Sequence, residues 1–181
     1  MRKCFRRYVP RGRRWKDLLV AAAVLVLLVC SLSSNSAAER KTLKIGDPPP
    51  RFTLTDLTGR RVTVPDDLIG KAVVIHFWAD WCPFCLDEMP VLETLYRQYR
   101  QKGLVIYAVN VAQEPEVAQA FVDRVRVSYP VLLDREGKTA KLYHVLGLPR
   151  TFFIDRNGLI KYKLLGEASE EMLRKLVLNT L

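Results

Sequence analysis

Trp81-Cys82-Pro83-Phe84-Cys85 joins an apolar run to a long amphipathic stretch, and this junction constrains the fold more than any other part of the chain. Ala72 to Ala79 is nearly continuous in hydrophobicity and rich in β-branched and aromatic residues, which predicts a strand buried on both faces. Pro83 to Lys102 carries Met89, Leu92, Leu95, Tyr96 and Tyr99 at helical spacings and stops at Gly103, which predicts an amphipathic helix. Cys82 then caps that helix. Unpaired N–H groups and the positive end of the helix dipole favour a thiolate there, and a thiol so placed falls from about 8.5 toward roughly 7 or lower. Cys82 is the expected attacking sulfur. Cys85, inside the first turn on the same face, is expected to resolve a mixed disulfide by attacking Cys82.

Two blander readings of the pair fare worse. Half a zinc site needs two further ligands, and the only histidines are His76, inside the predicted strand, and His144, far downstream. A purely structural disulfide between residues this close closes too short a loop to restrain the unfolded chain much. Redox chemistry without metal or cofactor is the expectation.

Charge is concentrated at the N-terminus. Residues 1–38 hold eight basic residues against Asp17, or +7 of the formal +10, leaving about +3 for the remainder. No basic stripe with interleaved aromatics continues beyond, so nucleic acid is not an expected partner. The basic residues precede an uncharged run, Leu18 to Ala38, whose strongly apolar part is Leu18 to Cys30. That pattern predicts a basic cytoplasmic segment 1–17 and a signal peptide or single membrane anchor at 18–38. Either way, residues after 39 lie outside the cytoplasm. Cys4 and Cys30 fall in these segments, which leaves Cys82 and Cys85 as the only cysteines of the exported part. An exported domain with one close pair is not a disulfide scaffold.

Residues 39–50, with Pro48-Pro49-Pro50, read as a stiff linker, and 51–181 as one domain of ordinary size. Phe52 to Leu54 and Arg61 to Val64 predict a hairpin about Thr58-Gly59. Leu104 to Val111 reads as a strand, Glu114 to Val125 as a helix, Val131 to Leu133 as a short strand and Lys138 to Val145 as a short helix. Thr151 to Asp155 and Leu159 to Leu165 predict a second hairpin, followed by a helix from Ser169 with Glu170 and Glu171 in its first turn. The alternation implies an α/β fold, a central mixed β-sheet flanked by helices, with an N-terminal β-hairpin extension.

Three motifs in order carry a family resemblance: Pro50 to Gly59 (PRFTLTDLTG), Phe77 to Pro90 (FWADWCPFCLDEMP) and Gly147 to Asp155 (GLPRTFFID). Together they resemble the TlpA/ResA group of membrane-anchored, thioredoxin-fold thiol-disulfide oxidoreductases, across roughly residues 43–180. The resemblance implies a thioredoxin-like domain outside the cytoplasm that reduces client disulfides. Some members keep apocytochrome c thiols or copper-site thiols reduced, drawing electrons from a membrane-embedded donor.

The resemblance also assigns roles. Pro149 matches a cis-proline whose loop packs opposite the cysteines, so Leu148 would present backbone groups to an extended client segment. Glu88 matches an acidic position beside the buried cysteine. If shielded it would accept the Cys85 proton; otherwise it is an exposed carboxylate near the helix start. Trp81 would shield the sulfur pair from one side or simply pack. Four features depart from the pattern. His76 stands where a small polar residue, often asparagine, is common, and reads as a satisfied core histidine. Asp80 opposes thiolate formation two residues before Cys82, Arg150 replaces a small residue after the proline, and Pro83-Phe84 is an unfamiliar dipeptide. A disulfide-forming oxidant of the same fold and a copper-binding assembly factor are the alternative functions.

Overall fold

In this computed structural model the described residues are 42–65, 68 and 70–181. The segments 1–17 and 18–38, read as cytoplasmic tail and signal or anchor, lie outside them. Among the described residues no helix is long and apolar enough to cross a membrane.

The elements run β1 (Phe52–Asp56), β2 (Arg61–Val64), β3 (Ala72–Trp78), α1 (Pro83–Tyr99), β4 (Leu104–Val111), α2 (Pro115–Val125), β5 (Val131–Asp134), α3 (Lys138–Leu142), β6 (Arg150–Ile154), β7 (Ile160–Leu165) and α4 (Glu170–Thr180). They build one seven-stranded sheet in the order β2-β1-β5-β4-β3-β6-β7. Strands β3, β4 and β5 are parallel, whereas β6 runs antiparallel to β3 and β1 antiparallel to β5. The expected N-terminal hairpin is thus the edge of the main sheet, with Phe52 opposite Val64. Its turn is organised by the Asp56 carboxylate, which accepts the N–H groups of Thr58 and Arg60.

All seven residues of β3 are buried. Its alternation divides the core. Ala72, Val74 and Trp78 face α1, α2 and α4, whereas Val73, Ile75 and Phe77 face Tyr143, Phe152 and Ala140 of α3. Helix α1 buries Cys85, Glu88, Met89, Leu92, Leu95 and Tyr99 along one stripe. After Tyr99 it tightens into the 3₁₀ turn Arg100–Lys102 and stops at Gly103, whose φ of 92° an L side chain would resist.

Two elements depart from expectation. Helix α3 ends at Leu142 rather than Val145, because the Tyr143 ring is drawn into the core, where its hydroxyl donates to Pro50 O at 2.8 Å, and His144 has a φ of 52°. The segment read as a linker is docked: Gly46 N–H donates to Ile160 O at 2.8 Å, and Ile160 N–H to Asp47 O at 2.9 Å.

Candidate active site

The turn after β3 delivers Cys82 to the N-cap of α1 in extended backbone (φ −85°, ψ 107°), with Pro83 in the first helical turn, where its missing N–H costs nothing. Cys82 and Cys85 are joined as a disulfide with a Cα–Cα separation of 5.4 Å. Both residues are buried, at 1% and 0% exposure, in the cluster containing Trp78 and Met89. Exposure therefore does not rank the two sulfurs; the helix start does. Only Cys82 stands at the positive end of the dipole, where a thiolate gains most.

Trp81, in contrast, is 67% exposed. It lies outside the apolar cluster that holds the two cysteines, whereas Trp78 belongs to that cluster and packs on Phe121 at a ring separation of 4.6 Å. Asp80, also exposed, is held by a side chain that local sequence did not suggest. Gln113 Oε1 accepts the Asp80 N–H at 2.9 Å and Asn110 Nδ2–H at 2.8 Å, while Gln113 Nε2 donates to Asp80 Oδ1.

Glu88 is buried, at 2% exposure, so the reading as an exposed carboxylate is corrected. It follows Cys85 by one helical turn, on the buried stripe of α1. Its Oε1 accepts the Ala168 N–H at 2.7 Å, from the loop between β7 and α4. Burial lifts its carboxyl to about 7; the Ala168 N–H pulls it back and the nearby Glu167 pushes it up. A group that titrates near neutrality suits proton transfer to and from a thiol.

His76 faces the same side of β3 as Trp78, and its Nδ1 shares a hydrogen bond of 2.9 Å with Thr151 Oγ1, the residue opposite it on β6. Burial holds the imidazole down to about 4, so it is neutral at physiological pH. The core-histidine reading holds for one nitrogen only. His76 Nε2 and Glu88 Oε2 are both buried without a hydrogen-bond partner.

The Leu148–Pro149 peptide bond is cis. Antiparallel pairing sets Phe77 opposite Arg150, which brings the Pro149 loop to the end of β3 where the cysteine turn begins. Pro149 is buried and its carbonyl accepts Gly166 N–H at 2.9 Å, whereas Leu148 is half-buried. Arg150 turns away, its guanidinium 5.1 Å from the Phe152 ring centre, and burial lowers its pKa from the usual value. Among the described residues no group of three or more His, Cys, Asp and Glu side chains is placed to hold a metal ion.

Residues 45–163 match the AhpC/TSA family. The chain is 35% identical over 164 residues to the thiol-disulfide oxidoreductase ResA of Bacillus cereus, an alignment covering 87% of this chain and 94% of that protein. Among solved structures, a Chlorobium tepidum protein assigned as a thiol:disulfide interchange protein, DsbE, superposes with a TM-score of 0.71 at 34% identity, covering 76% of this chain and 98% of its own. The thioredoxin domain of a Bacteroides vulgatus thiol-disulfide oxidoreductase does so with a TM-score of 0.66 at 26% identity, covering 75% and 99%. The fold is thioredoxin-like.

Proposed function

Because the chain belongs to the AhpC/TSA family, we propose that it is a thiol-disulfide oxidoreductase that reduces client disulfides through Cys82 and Cys85. The observation that carries this is the disulfide at the helix N-cap beside a buried carboxyl group. Reduced Cys82 attacks a client disulfide as the thiolate and forms a mixed disulfide, releasing one client thiolate. Cys85 gives its proton to Glu88 and attacks Cys82, which frees the second client sulfur with its electron pair. The enzyme ends as the Cys82–Cys85 disulfide and the client as a dithiol, with two electrons and two protons passed on.

The client segment lies extended against Leu148 and the Pro149 loop, adding backbone hydrogen bonds beside Cys82, and the exposed Trp81 widens that platform. The uncharged run 18–38 tethers the domain to a bacterial cell membrane on its outer side, or exports it there if cleaved, and a membrane-embedded donor restores the dithiol. The resemblance to ResA-type proteins supports apocytochrome c or copper-site thiols as clients.

Trapping tests the assignment. A Cys85→Ser variant expressed in its own membrane accumulates mixed disulfides through Cys82, and a Cys82→Ser variant does not; equal trapping by both variants contradicts the assigned roles. Haem-attachment thiols among the trapped proteins support the cytochrome reading.

A further inference from the structure

Among the described residues five buried side-chain polar atoms lack a hydrogen-bond partner, and two of them, Glu88 Oε2 and His76 Nε2, belong to side chains that approach each other. Glu88 Oε2 lies 3.9 Å from His76 Nδ1. That is beyond hydrogen-bonding reach by about 1 Å. With a neutral imidazole it is no ion pair either. Core polar atoms seldom remain unpaired in this way, because each costs its desolvation without return.

Among the described residues nothing donates a hydrogen bond to Oε2. Glu88 is approached by His76 from β3, by Thr151 through that imidazole from β6, and by Glu167 and the Ala168 N–H from the loop after β7, while Cys85 precedes it by one turn on its own helix. The Ala168 N–H is already spent on Oε1, and Glu167 can only repel the ionised form. The imidazole is a facing group able to accept a proton or a hydrogen bond, and in the disulfide form Thr151 fixes its ring orientation.

We propose that His76 is the positioning residue for Glu88, the two side chains forming a buried acid–imidazole couple that shares one proton. When Glu88 takes the Cys85 proton, its Oε2–H turns to an unprotonated His76 Nδ1, displaces the Thr151 hydroxyl from that nitrogen's single lone pair, and closes the gap seen in the disulfide form. When the proton leaves, the carboxylate retains only the Ala168 N–H. His76 thereby stabilises the protonated acid without gaining net charge, and the proton stays on the pair until the departing client thiolate or solvent collects it. This role extends the proton-acceptor role given to Glu88 above and rests on it for its use in the reaction, but the couple itself exists independently of turnover.

Nuclear magnetic resonance of the full chain, held in the disulfide form so that neither Cys82 nor Cys85 titrates, tests the couple directly. The ¹³C carboxyl signal of Glu88 and the ¹⁵N imidazole signals of His76 are followed against pH. The couple predicts that the His76 nitrogens shift through the same midpoint as Glu88, and that Glu88→Gln abolishes that shift. It also predicts that His76→Asn moves the Glu88 midpoint by about half a unit or more. His76 nitrogens that stay flat through the Glu88 transition overturn the proposal, a result obtained on the wild-type chain without any variant. A shared midpoint combined with an unchanged pH profile of client exchange in Glu88→Gln upholds the couple and removes Glu88 from the reaction.

Discussion

Glu88 Oε1 accepts the Ala168 N–H at 2.7 Å, so the helix that carries the disulfide is tied to the loop ahead of α4 through a buried carboxyl group that keeps its proton to about pH 7. Its neighbour His76 is shifted the opposite way, from 6.5 to about 4. The pair gives the fold an unusual pH response.

From about 4.5 to 7 the unfolded chain releases the Glu88 proton while the folded chain keeps it, so stability is lost as pH rises through that window. From 6.5 down to about 4 the unfolded chain protonates His76 while the folded chain refuses, so stability is lost as pH falls. The two slopes, each at most about 1.4 kcal/mol per pH unit, oppose each other where they overlap. Relative to wild type, Glu88→Gln therefore gains stability with rising pH and His76→Asn loses it. Urea unfolding of the disulfide form at several pH values measures this, and three parallel curves contradict it.

Trp81 tests whether the exposed ring serves clients or packing. At 67% exposure it contributes little to the core, so Trp81→Ala changes unfolding free energy by less than about 0.5 kcal/mol. Exchange with a protein client slows through a higher KM, while reaction with a small disulfide reagent is unchanged. A loss of more than about 2 kcal/mol in stability assigns the ring to packing instead.

Asp80 stands two residues before Cys82, its carboxylate held by Gln113. Asp80→Asn removes the charge and keeps a polar group of the same size. The Cys82 pKa then falls by a few tenths of a unit, the size of a through-solvent interaction of about 0.5 kcal/mol. Thiolate absorbance against pH measures it, and a rise contradicts it.

Arg156 binds three chain segments at the far end of the sheet. Its guanidinium donates to Lys102 O at 2.8 Å, to Gly70 O at 3.4 Å and, through Nε, to Leu181 O. Arg156→Ala costs about 1–2 kcal/mol in denaturant unfolding, because exposed bonds are partly replaced by water. Client exchange is unaffected, since the cysteines lie at the opposite end of β3. An altered exchange rate at unchanged stability contradicts this.

Much of this arrangement was legible along the chain because its determinants are local. The continuous apolar run fixed β3, helical spacing fixed α1, and both met at the cysteines. Glu88 shares the stripe of Cys85, Met89 and Leu92, so its burial was written in the spacing, although its charge argued for the surface. Pro90 sits within α1, where a proline usually ends a helix; the hydrogen bond it forfeits is to the carbonyl of the exposed Leu86, which water can reach. What the sequence could not supply depends on register between distant strands. His76 meets Thr151 only because β6 pairs with β3, and Gln113 reaches Asp80 only because β4 runs beside the cysteine turn. Those contacts decide the electrostatics of the site.

The central claim is that the Cys82–Cys85 pair donates electrons to client disulfides. Equilibrating the purified chain with glutathione and dithiothreitol buffers, and reading the fraction oxidised, tests it most directly. The account predicts a reduction potential in the range of about −200 to −270 mV, where the dithiol is a competent reductant. A value near about −120 mV, that of a strong disulfide oxidant, contradicts it.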